Sequence, residues 1–246
     1  MKVLLGIFIG VLAVVAIVVL VAGYFGFVPG VSSIFGSDKP RDLGVTYTDA
    51  DYQSARQKGN IQRVNLASNT PPEQSLKFSG QQAANFNLTD NEVTALINEK
   101  SWRYFPVHDC QVRFNADGTG EFSGILELDT LKDYAKARGY SEEDLKVVTD
   151  WVSRFAIVQK NMPFYIKGTA SVGSPMDFNV QKLEFGRFSV PADQMNNRKA
   201  EILDVLQDGF SKIPGFSINK FSIANGQMHF DGTLPTSVSR STGNRP

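Results

Sequence analysis

The feature that most constrains this chain is a stretch without charged residues between Lys2 and Asp38. Residues 3–28 are nearly all Val, Ile, Leu, Ala, Gly and Phe. A helix rises ~1.5 Å per residue, so about 20 such residues cross a ~30 Å hydrocarbon core. The stretch therefore predicts an uncleaved transmembrane signal anchor over residues 1–28. A cleaved signal peptide is the alternative, although its apolar region normally spans only ~7–15 residues.

The direction of this anchor depends on a weak charge signal. Only Lys2 and the α-amino group precede the apolar run, whereas Lys39 and Arg41 follow it, so the positive-inside rule discriminates little. A short tail ahead of a long apolar segment favours a cytoplasmic N-terminus. We therefore expect a single-pass plasma-membrane protein whose C-terminal domain lies on the extracytoplasmic side. Residues 29–42, where Pro and Gly interrupt the helix, are predicted to form a linker.

Charge and cysteine content argue against two classes of protein. The chain has 25 Lys and Arg and 25 Asp and Glu, so its formal net charge is zero. A nucleic-acid-binding domain normally carries a clustered basic face, so no nucleic-acid partner is expected. The single cysteine, Cys110, cannot form an intramolecular disulfide, and packing alone must therefore hold the fold.

Beyond residue 42 the pattern alternates between amphipathic helices and hairpins. Thr89 and Glu92 form a capping box, which marks a helix start. Asn225-Gly226 is the strongest short hairpin signal in the chain. The predicted helices span residues 48–58, 89–100, 131–138, 141–158 and 192–213. The predicted strands span residues 61–66, 110–114, 122–128, 164–172, 178–190, 216–224 and 227–234.

This order of elements predicts one α+β soluble domain over residues 43–235. Connections between paired strands are short, so the sheet should be antiparallel, and strands with one apolar face need helices on that side. The alternation slips at Lys182 and at Gly186, as β-bulges would produce, and bulges bend strands. We therefore predict a strongly curved antiparallel sheet of hairpins wrapped around a long helix. The polar tail, residues 236–246, is predicted to be disordered.

One cluster, His108-Asp109-Cys110, invites an enzymatic interpretation. Nucleophilic catalysis needs a thiolate within hydrogen-bond reach of a base that a third group orients. On a strand, His108 and Cys110 point the same way and Asp109 points the opposite way, so the orienting group is missing. Cys110 also continues the apolar face of the strand, which favours a buried structural cysteine. No catalytic residue is predicted, and the protein is not expected to be an enzyme.

Metal and cofactor motifs are likewise missing from the sequence. The chain holds two histidines, His108 and His229, and no Cys-x-x-Cys or His-x-x-x-His spacing. Residues 115–120 faintly resemble a calcium loop, but Gly124 stands where the bidentate Glu would fall. The glycines of this segment have the wrong spacing for a dinucleotide site and lie between strands. We therefore predict neither a metal ion nor a cofactor.

The segment from Asn87 to Glu99 resembles the L-T-x-x-E-L-x-x-L-L helix that opens the domain of YpmS-like and LmeA-like envelope proteins. In the same order as in that group, Gly186 to Pro191 leads from a strand into a long helix, and a closing hairpin ends in Asp231 to Pro235. The resemblance covers roughly residues 76–235, although the helix predicted at 141–158 has no counterpart in it. It implies a tubular lipid-binding (TULIP-like) fold, in which a curved sheet wraps a long helix around a lipid-sized groove.

Under that resemblance the domain would bind a lipid or another hydrophobic ligand and would have no catalytic activity. The candidate groove residues are Phe178, Phe185, Phe188, Leu206 and Phe210. Apolar and aromatic side chains are typical of ligand pockets, although the same phenylalanines would also fill a core. The alternative function is a protein-interaction or scaffold domain of an envelope complex, which an exposed apolar patch would indicate. The expected partners are the membrane, a lipid or an envelope protein.

Overall fold

The computed structural model of the protein describes residues 15–25, 28, 30–99, 102–140, 160–173 and 176–243. Within these ranges eleven strands form three sheets, and one pair of neighbouring strands, Gln62–Leu66 with Ser237–Ser241, is parallel. The predicted α+β class and the mostly antiparallel pairing are therefore confirmed. The strands are divided among three sheets, whereas the sequence predicts a single curved sheet.

The largest sheet has five strands in the order β4-β5-β6-β7-β8. They are β4 (Val107–Phe114), β5 (Gly120–Glu127), β6 (Asn161–Ser171), β7 (Asp177–Phe185) and β8 (Phe188–Val190). The predicted slip near Lys182 is a bulge, because Lys182 pairs with Lys167 whereas Val180 pairs with the next residue, Gly168. The predicted slip at Gly186 is instead the hairpin turn between β7 and β8, where Gly186 has a φ of 59°.

The second sheet has the order β3-β10-β9. Its strands are β3 (Gln82–Thr89), β9 (Ser217–Ala224) and β10 (Gln227–Leu234). Asn225 and Gly226 both have positive φ, 52° and 71°, as a type I′ turn requires, so the predicted hairpin is confirmed. Strand β9 bulges at Asn219, because Ile218 and Lys220 pair with adjacent residues of β10.

The third sheet contains β1 (Gln62–Leu66), β2 (Leu76–Ser79) and β11 (Ser237–Ser241). Strand β11 lies in the centre, parallel to β1 and antiparallel to β2. The predicted disorder of residues 236–246 is therefore wrong for Ser237–Ser241. This polar strand carries no apolar signal in the sequence, and it is held by backbone hydrogen bonds on both sides and by the ion pair of Arg240 with Glu99.

Five helices and one 3-10 turn follow the linker in the described residues. They are α3 (Asp49–Gly59), α4 (Asp90–Asn98), α5 (Leu128–Ala137), α6 (Ala192–Asn196) and α7 (Lys199–Ser211), with a 3-10 turn at Pro72–Gln74. Complete capping boxes start α3, from Thr48 and Asp51, and α4, from Thr89 and Glu92. The capping box predicted for α4 is therefore confirmed.

The long helix predicted over residues 192–213 is divided into α6 and α7. The division has a tertiary cause, because the Asn196 side chain accepts a hydrogen bond of 3.0 Å from the Val180 N–H and donates one of 2.9 Å to the Val180 carbonyl. The last residue of α6 is thereby fixed to β7. The helix predicted over residues 141–158 lies outside the described residues.

The N-terminal region enters the structure as a helix with outward-facing apolar side chains. Residues 15–24 form the described part of α1, followed by the short helix α2 (Val31–Phe35). Residues 1–14 of the predicted anchor lie outside the described part of the chain. Among the residues that are described, no helix combines the length and the apolar character needed to cross a membrane.

A backbone bridge joins the largest sheet to the second sheet at the end of β6. Val172, just beyond β6, forms an isolated antiparallel bridge with Phe221 of β9, through two backbone hydrogen bonds of 2.9 Å each. Residues of both sheets, of α6 and of α7 line the space beside this bridge. This arrangement creates the cavity that is described next.

Candidate functional site

A cavity of about 550 Å³ lies between the largest sheet, helix α7 and the β9–β10 hairpin. We call it the apolar cavity. Its apolar lining residues are Val93, Val112, Phe114, Phe122, Ile166, Ala170, Val172, Met176, Phe178, Val180, Met195, Ile202, Leu206, Phe210, Ile218, Phe221, Ile223 and Met228. Ala170 of β6 and Leu206 of α7 are exposed, so the cavity reaches the surface beside them.

The sheet wall of the apolar cavity follows from the period-2 alternation of β5 and β6. Phe122 and Ile166 are register partners on these strands, and both line the cavity. The Phe122 ring packs edge-on against Phe164, with the ring centroids 4.9 Å apart. Gly168 continues the wall without a side chain, because a Cβ atom there would lie 2.3 Å from the carbonyl oxygen of Asn179. The bulge on β7 therefore requires glycine at this position.

Helix α7 closes the apolar cavity with one face and leaves the other in water. Ile202, Leu206 and Phe210 lie at i, i+4 and i+8, which places them on the same side of a helix. All three line the cavity, yet Leu206 keeps 41% of its surface exposed. Within α7 only Gly209 is classed as buried among the residues whose side chains are described. The helix is thus a cover over the cavity and not a core helix.

The two ends of α7 carry the polar contacts that hold it in place. At its N-terminal end, Lys199 forms an ion pair with Asp177 at the start of β7. At its C-terminal end, Arg138 donates a hydrogen bond of 2.8 Å to the carbonyl oxygen of Gly209. The Lys212 ammonium group lies 4.3 Å from the centroid of the Tyr140 ring. The middle of α7, which faces the cavity, is held mainly by apolar contact.

The five predicted groove residues are divided between two places. Phe178, Leu206 and Phe210 line the apolar cavity. Phe185 and Phe188 are not among its lining residues and pack instead against the buried cluster of Val180, Leu183 and Val190. Phe188 also contacts Phe25 after α1, with the ring centroids 6.4 Å apart. Phe185 pairs with Phe164 and with Phe188, so both residues share the sheet face of Ile166 but lie beyond the lining of the cavity.

Strand β9 supplies lining residues that the sequence did not single out. Ile218, Phe221 and Ile223 all face the cavity. Their spacing of three and two residues breaks the period-2 pattern, because Asn219 is the extra residue of a bulge. A search for strict alternation therefore misses this wall, and a search that allows one bulge would have found it.

The carboxylates beside the apolar cavity are already paired with other groups. Burial acts to raise the pKa of Glu121, but hydrogen bonds from the Tyr165 hydroxyl (2.7 Å) and from Asn115 (2.9 Å) outweigh it and lower the pKa. The hydrogen bond from Lys199 is the main cause that lowers the pKa of Asp177. Both groups are therefore held as carboxylates at neutral pH, and the cavity itself presents apolar atoms.

The His108-Asp109-Cys110 cluster differs from its prediction in one respect. A bulge opposite Gly124 gives Asp109 a φ of 49°, and Nδ1 of His108 lies 2.9 Å from Oδ2 of Asp109. The expectation that Asp109 points away from His108 is therefore wrong. Cys110 is buried, as predicted, and its Sγ atom lies 3.5 Å from the backbone carbonyl oxygen of His108. Asn98 forms hydrogen bonds with the N–H and the C=O of Cys110.

Metal binding finds no support in the described part of the chain. There, no group of three or more His, Cys, Asp or Glu side chains is arranged to hold a metal ion. His108 and His229 lie on strands of different sheets, and His229 forms a hydrogen bond of 2.8 Å with Asn87. No residue is assigned to a cofactor.

Comparison with known proteins identified no relative of this chain. The chain matches no protein-family profile, no curated protein and no solved structure. The resemblance to YpmS-like and LmeA-like envelope proteins therefore stays a prediction. Any functional conclusion must depend on the geometry of the apolar cavity and its surroundings.

Proposed function

We propose that the protein is a membrane-anchored extracytoplasmic module that binds a lipid or another hydrophobic ligand in the apolar cavity. The observation that carries this proposal is a volume of about 550 Å³ with walls of mostly aliphatic and aromatic side chains. Ligand pockets of proteins usually have ~300–1,000 Å³ and the same kind of lining. An acyl chain suits such walls, because each methylene group removed from water contributes about 0.8 kcal/mol.

The polar groups at the opening of the cavity indicate how the proposed ligand would be oriented. Asp177 and Asn179 of β7 line the cavity where it reaches the surface, and Lys199 pairs with Asp177 there. The opposite walls, around Phe114 and Ile223, are apolar. The acyl chain would therefore extend into the cavity with its polar end near Asp177 and Lys199.

The cover helix and the apolar N-terminal segment complete the proposal. Helix α7 is tied at its two ends, so a small outward movement of its middle would admit a chain without breaking strand pairing. This helix and the bent strands beside it would correspond to the long helix and curved sheet of a TULIP-like fold. The apolar residues 3–28 would hold the domain next to the bilayer from which the ligand is taken.

Native mass spectrometry of residues 38–246, produced in a cell with membranes and purified without detergent, tests the proposal. Circular dichroism first establishes that this part of the chain is folded. We expect a bound mass the size of a single lipid or fatty acid that dissociates on collisional activation. A folded domain that is empty, and that takes up no fatty acid when one is added, would show that the function is wrong.

A matched pair of variants locates the ligand. Ala170→Trp places an indole in the apolar cavity and should abolish the bound mass. Ala83→Trp adds the same group at an exposed position of β3, outside the lining, and should leave the bound mass unchanged. Equal retention of the ligand by both variants would place it elsewhere on the protein.

A further inference from the structure

A second cavity, of about 340 Å³, lies where the end of α1 meets the largest sheet. Its lining comes from Tyr24, from the segment after α2, from the start of β6 and from the β7–β8 turn. Three lining side chains are cations, Lys39, Arg41 and Arg187, and one, Glu184, is a carboxylate. We call this cavity the basic pocket. It shares no lining residue with the apolar cavity.

The charges of the basic pocket do not cancel. The Glu184 carboxylate is shared by Arg41 and by Lys182, whose Nζ atom lies 2.8 Å from Oε1 of Glu184. The neighbouring Asp38 accepts a hydrogen bond from Ser33 and is not part of the lining. Lys39 is exposed, so its ammonium group adds positive charge at the rim. The pocket therefore offers an anion more cationic than anionic groups.

Arg187 joins the basic pocket to the N-terminal helix. Its backbone N–H donates to the carbonyl oxygen of Phe25 at 3.3 Å, and its side chain donates to the carbonyl oxygen of Phe35. Its guanidinium carbon also lies 4.9 Å from the centroid of the Tyr24 ring. The pocket is thus attached to the end of α1, where the helix leaves its apolar stretch.

The exposed apolar side chains of α1 indicate at which depth of a bilayer the basic pocket would lie. Val15, Ile17, Val18 and Leu20 are each at least 50% exposed, although all are apolar. Tyrosine is enriched where a membrane helix passes from hydrocarbon to headgroups, and Tyr24 occupies that place on α1. If α1 enters the bilayer, as proposed above, the basic pocket lies at the depth of the headgroups.

We propose that the basic pocket binds the phosphate group of an anionic phospholipid at the membrane surface. Guanidinium and ammonium groups are the side chains that bind phosphate best, Arg through paired N–H donors and Lys as a point charge. The inference rests on the anchoring part of the proposed function and is independent of the apolar cavity. Its occupant is a lipid that stays in the bilayer and orients the domain against the membrane.

The test uses the full chain in dodecyl maltoside micelles, with native mass spectrometry of retained lipid. Phosphatidylglycerol and phosphatidylcholine with identical acyl chains are each titrated in, so that only the headgroup differs. A basic side chain near a membrane surface changes affinity roughly fivefold. We therefore expect Lys39→Gln to weaken phosphatidylglycerol binding about fivefold and Lys39→Gln with Arg41→Gln to weaken it roughly 25-fold.

Two control variants separate this site from other effects. Lys220→Gln removes the same charge from an exposed position of β9, in another sheet, and should bind phosphatidylglycerol as the parent does. Ala170→Trp should keep the preference for phosphatidylglycerol, because it changes only the apolar cavity. Flotation of the full chain with phosphatidylcholine vesicles tests the anchor by itself.

Three outcomes would overturn the inference. Equal retention of the two lipids by the parent would show that the pocket does not select an anionic headgroup. Loss of the preference in Lys220→Gln to the same extent as in Lys39→Gln would show only a general charge effect. Displacement of phosphatidylglycerol by an equal concentration of inorganic phosphate would assign the pocket to free phosphate and not to a lipid.

Discussion

Glu92 is a buried charge whose partners come from α3 and from the N-cap of its own helix. Its side chain is 5% exposed and forms an ion pair with Lys58 of α3, with N–O distances of 2.7 and 2.8 Å. The Ser54 hydroxyl and the Thr89 N–H also donate to it, at 2.6 and 2.9 Å. Burial acts to raise the pKa of Glu92, but these hydrogen bonds together outweigh burial and lower it below the ordinary value of 4.5. The residue therefore joins α3 to the start of α4.

We expect Glu92→Gln to lower the free energy of unfolding by about 2 kcal/mol at neutral pH, less than the ~3–5 kcal/mol of a fully buried pair, because Lys58 keeps access to water. The pKa of Glu92 is lowered by folding, so its stabilisation is present above pH 4.5 and is lost as pH falls through the folded-state pKa. Urea denaturation between neutral and acidic pH measures both effects. Glu201→Gln, at an exposed position of α7, is the control. Parallel pH profiles for parent and Glu92→Gln would contradict this account.

Tyr165 should ionise at unusually high pH. Burial is the main cause that raises its pKa to about 12, followed by the hydrogen bond that its hydroxyl donates to the Glu121 carboxylate; the Arg41 guanidinium over the ring acts in the opposite direction. The raised pKa stabilises the fold below pH 10, and this contribution is lost as pH rises from 10 to 12. The tyrosinate absorbance of the parent minus that of Tyr165→Phe isolates this phenol. A difference curve centred near pH 10 would disprove the burial argument.

Sequence signals within a few neighbouring residues predicted helix starts and hairpin turns correctly. Features that depend on tertiary contacts could not be predicted in this way. The Thr89 capping box and the Asn225-Gly226 hairpin are encoded within a few residues, and both are present. The break between α6 and α7 depends on Asn196 bonding to Val180, and the bulge at Asn219 depends on β10. Strand β11 has no pattern of its own, because its partners β1 and β2 lie far away in the sequence.

Strand β11 gives an element-scale prediction, because β1 and β2 pair only with it in the described structure. A chain that ends at Pro235 loses the pairing on both sides and the ion pair of Arg240 with Glu99. We expect a loss of at least about 3 kcal/mol of stability, since each hydrogen bond contributes ~0.5–1.5 kcal/mol. Hydrogen exchange should accelerate in residues 62–66 and 76–79.

A chain that ends at Gly243 is the matched control for this truncation, because it retains every described contact of β11. Its exchange rates should equal those of the parent. Unchanged protection of β1 and β2 in the chain that ends at Pro235 would mean that the tail is dispensable, as the sequence pattern first indicated.

At the scale of the whole molecule, the sequence predicted which types of residue form the candidate site better than it predicted how they are arranged. Helix-period spacing correctly marked Leu206 and Phe210 as one apolar face, and alternation marked Phe178. Phe185 and Phe188 share the sheet face of the cavity lining but lie beyond its end, and where the cavity ends along the sheet cannot be read from residue types alone. The cavity walls come from two sheets and from α7, and the Val172–Phe221 bridge between these sheets joins residues distant in sequence.

A ligand in the apolar cavity should stabilise the whole domain, because the cavity walls come from two sheets and from α7. At a free fatty-acid concentration of 100 times Kd, binding adds about 2.7 kcal/mol to the free energy of unfolding. For a domain of this size, ~1 kcal/mol raises Tm by roughly 2–4 °C, so we expect a rise of roughly 5–10 °C. Differential scanning fluorimetry below the critical micelle concentration measures it.

The comparison of Ala83→Trp with Ala170→Trp decides how that rise is interpreted. A fatty acid held in the apolar cavity should raise Tm in Ala83→Trp as in the parent and should leave the Tm of Ala170→Trp unchanged. An amphiphile that merely coats exposed apolar surface binds the unfolded chain better than the folded one, and it would lower Tm in all three proteins. The sign of the change in Tm therefore distinguishes binding in a cavity from non-specific adsorption to exposed apolar surface. A fall in Tm would refute the proposed ligand site.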